Sequence, residues 1–183
     1  GALLTGLIEE YPQEQLDELK SLVDDGSVKT ILAVGEDITE AGIDAAALKN
    51  TSLVYLGSHH GNCSQHAFIE LPLLTVFEKS GTFVNQQFRV QKFAQAVPGP
   101  ANVLHGISTF TRLLEALNSE AKIAPSAAAV WQKMQAEVSE FAGMQFGNIP
   151  GAGTVVSGAR FDGLPFVEGK GLHFEPSKAL AEA

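Results

Sequence analysis

The sequence predicts an α/β fold with a small, mostly parallel sheet. Three observations predict it. Apolar runs at 28–34, 52–56 and 67–71 each close on a glycine or a proline, Gly35, Gly57 and Pro72, as short buried strands do. Helical patterns stand between and around these runs, and such alternation builds a parallel sheet covered by helices. Glycine and proline then accumulate after Gly143, where no long periodic segment continues. The reading is therefore a Rossmann-like α/β domain over 1–142 and an extended, partly irregular Gly/Pro-rich tail over 143–183.

The elements follow in order. Residues 12–24 read as a helix: Pro12 suits a first turn, Leu16, Leu19, Leu22 and Val23 share a face, and Gly26 supplies a left-handed stop. A strand runs from Val28 to Val34, a short helix over 43–49, a strand from Ser52 to Leu56, and a third from Ala67 to Leu71. Residues 73–79 read as a turn of helix or an extended edge. Residues 78–91 read as a long ordered loop pinned by Phe83, Val84, Phe88 and Val90, with Asn85, Arg89 and Gln91 free for hydrogen bonding. Long ordered loops in compact domains are often functional. Pro98-Gly99-Pro100 forces a turn. Val103, Leu104, Ile107, Phe110, Leu113, Leu114 and Leu117 then predict the clearest helix, over 102–118, capped by Asn102. His105 and Arg112 fall off that stripe, toward solvent. A last helix opens at Pro125-Ser126, buries Trp131 as a packing anchor and ends at Gly143.

Composition narrows the function. The net charge is −9, which disfavours nucleic acid and anionic lipid as partners. No apolar run approaches a membrane span, and no basic-then-apolar leader opens the chain. The single cysteine, Cys63, permits neither an internal disulfide nor a four-cysteine iron–sulfur site.

Two stretches are candidate sites. Gly35 and Asp37 follow the first strand, where open α/β sheets bind ligands. Glu36 and Asp37 would repel phosphate, however, and a plain strand-to-helix turn is the simpler reading. His60, Cys63 and His66 are spaced three apart, so a helix would bring them toward one face as a metal site. Gly61 and Asn62 interrupt that helix, and a polar loop past a strand end is the simpler reading. No Ser-His-Asp pattern or other catalytic constellation stands out.

Leu71-Pro72, Glu78-Lys79-Ser80-Gly81-Thr82-Phe83-Val84-Asn85 and Arg89-Val90-Gln91 together resemble the molybdopterin oxidoreductase family. Within it they resemble the large iron–sulfur subunits of bacterial NADH-quinone oxidoreductases, respiratory complex I. Weaker similarity runs over roughly residues 16–150. Gln87-Phe88 stands where the family often has Glu-Gly. The resemblance implies a piece of a larger subunit, non-catalytic by itself, whose parent carries electrons from NADH towards quinone through iron–sulfur clusters held outside this chain. It implies partners in the rest of that subunit and in other subunits of a respiratory complex. The implied location is cytoplasmic, peripheral to the inner membrane, without direct membrane insertion. The alternative implication is a fragment of an active molybdopterin enzyme of formate dehydrogenase-like kind. Gly35, Asp37, Gly81, Thr82, Asn85, Arg89 and Gln91 would then line one side of a molybdopterin guanine dinucleotide site.

Overall fold

A computed structural model describes residues 1–8, 13–85, 87–118, 120 and 122–161. Helix α1 (Gln13–Asp24) leads into β1 (Thr30–Val34), β2 (Ser52–Gly57), the short α2 (Asn62–Gln65) and β3 (Ile69–Pro72). These strands form a parallel sheet in the order β1-β2-β3, with Leu32 beside Val54 and Val54 beside Ile69. The α/β class is as the sequence predicts. Pro12, the expected first residue of α1, and the tail segment around Leu172 and Phe174 lie outside the described residues.

The order explains how the sheet is covered. The chain moves from β1 to β2 to β3 in one direction. Right-handed crossovers then put both connections on the same face. That face carries Ile31, Ala33, Leu53 and Tyr55, packed under Val23 of α1, Ile43, Leu48 and Cys63. The other face carries Leu32, Val34, Ile69 and Leu71 on the edge strands, which stay 46%, 40%, 43% and 39% exposed, and Val54 and Leu56 on the central strand, which are half-buried and fully buried. Parallel sheets are ordinarily buried on both faces. Here the step that would reverse direction and cover the second face is absent among the described residues.

The stretch read as a long loop is instead a hairpin, and this corrects the sequence reading. β4 (Gly81–Val84) pairs antiparallel with β5 (Arg89–Phe93), and β6 (Thr154–Val155) adds to β5. Asn85 makes the turn: its Oδ1 accepts the Gln87 and Arg89 backbone N–H groups, each at 2.9 Å. Asn side chains favour such turns because they imitate a backbone carbonyl. The polar residues masked the strand pattern; Val90 is fully buried.

Helix α3 (Gly106–Leu117) starts later than the periodicity suggests. Asn102 adopts a left-handed conformation (φ 69°), and His105 is the cap, its Nδ1 accepting the Ile107 N–H at 3.2 Å. The apolar stripe of α3 contains no fully buried residue. Helix α4 (Ala127–Glu137) is capped by Ser126, whose Oγ accepts the Ala129 N–H. It ends before Val138, and a 3-10 turn at Ser139–Phe141 follows. The expected helix at 43–49 reduces to a 3-10 turn at Ala47–Asn50. Asp44 Oδ1 takes the Ala46 N–H at 2.7 Å, a cap-like turn that leads into it.

A second core gathers Leu4, Val90, Trp131, Phe141, Ile149, Val156 and Phe161. The stretch 143–161 thus contributes buried side chains and a strand pairing. Trp131, 3% exposed, packs on Phe141 at 5.0 Å between ring centroids and donates its indole N–H to the Met144 carbonyl. No described helix is long and apolar enough to cross a membrane.

Candidate functional site

The carboxyl ends of β1, β2 and β3 define the first candidate region. Gly35 leaves β1 with φ 73°, and its N–H donates to Leu56 O at 2.7 Å. Two residues on, Asp37 ties two loops together. Its Oδ1 accepts from the Thr39 N–H and hydroxyl, and its Oδ2 accepts from the Cys63 N–H at 3.0 Å. The Thr39 hydroxyl, then the Cys63 N–H, hold its carboxyl below the ordinary carboxylate range. Gly61 permits the approach, because a Cβ there would lie 2.8 Å from Asp37 Oδ2.

After β2, Gly57 leaves room for the Tyr55 ring, whose hydroxyl donates to His59 O at 3.0 Å. Ser58 Oγ and His59 Nδ1 lie 2.8 Å apart, and His60 Nδ1 lies 3.0 Å from Glu70 Oε1. Gly57, Ser58, His59, His60, Glu70 and Pro72 line a hollow of about 360 Å³. Sequence reasoning missed Ser58, His59 and Glu70. The signal was a paired histidine just past a strand end, which the three-residue metal spacing obscured.

The metal constellation is not assembled. Cys63 is buried in the first core, 1% exposed, and burial pushes its thiol pKa up. His60 turns outward to Glu70, while His66 lines a separate hollow with Lys49 and Phe68. Helix α2 has only four residues, too short to carry three positions on one face. Among the described residues no three His, Cys, Asp or Glu side chains are placed to hold a metal ion.

The second region is a cleft of about 530 Å³ where the end of β1 meets β4, α3 and α4. Gly81 and Thr82 line it, as do Val34, Lys79, Phe83 and Trp131. Gly35, Asp37, Asn85, Arg89 and Gln91 line neither this cleft nor the strand-end hollow. Asn85 is committed to its turn, and Arg89 Nη1 donates to Ala152 O at 3.1 Å. Gln91 sits in β5 opposite Phe83, exposed. His105 is also placed structurally. Since its Nδ1 accepts from Ile107, its Nε2 carries the proton, and this donates to Ser80 O at 3.2 Å.

The molybdopterin oxidoreductase family model matches residues 5–116, more than half of the chain, and spans β1 to β5. The chain belongs to the molybdopterin oxidoreductase family. A search of curated proteins returns no match. The pterin dinucleotide used in such enzymes carries a pyrophosphate, which calls for cations or converging N–H donors. The residues at the strand ends do not fit it. Glu36 and Asp37 follow β1, Glu70 faces the hollow, and among the described residues no lysine or arginine lines it.

Proposed function

We propose that the chain is a non-catalytic structural and interaction domain of a larger subunit, one resembling the large iron–sulfur subunit of NADH-quinone oxidoreductase. In this reading the parent passes electrons from NADH towards quinone through iron–sulfur clusters held outside this chain. The domain supplies packing surface to the rest of the subunit and its neighbours, at the cytoplasmic side of a membrane complex. One observation carries the reading: on one face of the parallel sheet the edge-strand residues Leu32, Val34, Ile69 and Leu71 stay partly exposed on either side of the buried Leu56. Exposed apolar residues on a kind of sheet ordinarily buried on both sides support packing by another domain.

The test is the double substitution Leu32→Glu, Ile69→Glu. Both side chains are a little over half buried, so the isolated chain should stay folded with a loss of about 2 kcal/mol. The same change in the parent subunit should abolish its assembly with neighbouring subunits. Normal assembly of the double variant would refute the reading.

The family match by itself supports the competing reading, a cofactor-binding fragment of an active molybdopterin oxidoreductase. That reading requires guanosine diphosphate to raise the melting temperature of the chain in an Arg89-dependent way.

A further inference from the structure

The cleft between β4, α3 and α4 borders the exposed sheet face at Val34, and its lining has a chemistry of its own. At about 530 Å³ it falls within the roughly 300–1,000 Å³ range of small-molecule sites. Its walls are aromatic. Phe83 and Phe93 stack with centroids 4.6 Å apart, and Trp131 and Phe110 also line it. Such walls suit a flat apolar body.

Charge selects further. The chain has 21 acidic residues against 12 lysines and arginines, yet among the described residues no aspartate or glutamate lines this cleft. One cation does, Lys79. It is half-buried and has no hydrogen-bond or ion-pair partner among the described residues. In a strongly acidic protein, an acid-free apolar cleft with an unengaged ammonium is complementary to an anion with an apolar body. Polar groups in such sites fix orientation while the apolar walls supply most of the affinity.

We propose that this cleft is a binding site for a small aromatic carboxylate, its ring against the stacked Phe83 and Phe93 and its carboxylate paired with Lys79. The site shares Val34 with the exposed sheet face, and its other walls come from residues 73–83, Phe93, residues 105–110, α4 and Phe146.

Trp131 is the only tryptophan, so its indole N–H gives one cross-peak in a ¹H–¹⁵N spectrum and reports from the cleft wall. The full chain is titrated with 2-naphthoate, with the neutral 2-naphthamide and with the cationic 2-naphthylmethylammonium. Naphthoate should shift the Trp131 resonance saturably, and the amide should bind roughly tenfold more weakly, in keeping with a hydrogen bond to a charged group. Lys79→Met, which keeps the aliphatic stem, should bring naphthoate down to the level of the amide, and Lys79→Arg should restore it. Phe83→Ala, at an exposed ring, should weaken all three probes together. No saturable shift up to millimolar naphthoate, or equal binding of the anion, amide and cation, would overturn the proposal.

Discussion

Phe88 illustrates how one residue can reverse a local preference. It holds φ 55°, a left-handed conformation that costs a non-glycine residue roughly 1–2 kcal/mol. It stands where the family often has glycine. The conformation is held because the Phe88 ring stacks on Phe161 at 5.5 Å and its carbonyl accepts the Val156 N–H at 3.0 Å. Gly158 makes the space, since a Cβ there would collide with the Phe88 ring. Phe88→Gly would relieve the backbone and forfeit the ring. Loss of an aromatic pair and its buried area outweighs the relief, so urea unfolding should report a net loss of about 1 kcal/mol. A stabilised variant would mean that the stacking contributes less than the strain.

Asp37 is the second residue whose role follows from geometry. Both carboxylate oxygens accept hydrogen bonds, and the lowered pKa marks an ionised form favoured by folding. A group of this kind contributes stability above its unfolded pKa and loses it as pH falls through the lower folded value. Asp37→Ala should therefore cost roughly 1–2 kcal/mol at neutral pH. The gap between variant and parent should narrow as pH drops below about 4. A gap independent of pH would show that the Asp37 charge is not what joins the loops after β1 and β2.

At the scale of elements, the parallel strands and the two longer C-terminal helices were legible because apolar runs and helical stripes are local signals. The strand hairpin was not. In β4 and β5 polar and apolar residues do not alternate cleanly, since Phe83 adjoins Val84 and Gln91 adjoins Lys92, and Asn85 reads as a ligand donor as readily as a turn former. The cofactor candidates were legible as residue types but not as a cluster. Asn85 and Arg89 commit their hydrogen-bonding groups to the turn and to Ala152, which no sequence spacing reveals. The onset of α3 was also hidden, because it depends on the His105 ring reaching the Ile107 N–H. The stripe of α3 predicts a place in a core, and yet Phe110, Leu114 and Leu117 stay exposed. Periodicity identifies an apolar face but not what covers it.

At the scale of the molecule, the described residues form two cores and leave one sheet face partly open along its edge strands. The first core lies beneath α1, the second is closed by Leu4, Trp131, Phe141 and Phe161. Arg160 links the two ends of the described chain, with Nη2 donating to Leu4 O and Nε 3.2 Å from Glu140 Oε1. Neither core reaches the outer face of β1 and β3. A one-directional strand order makes that exposure a property of the topology, not of any single side chain.

The most direct test is hydrogen–deuterium exchange on the chain alone and on the same residues within the assembled parent complex. The account predicts added protection for residues 30–34, 69–72 and 106–117 in the complex, and unchanged exchange for 13–24, whose apolar side already packs on the sheet. Equal exchange of the strands and of α3 in both states would contradict it, because the apolar face would then be open to water even in the full assembly.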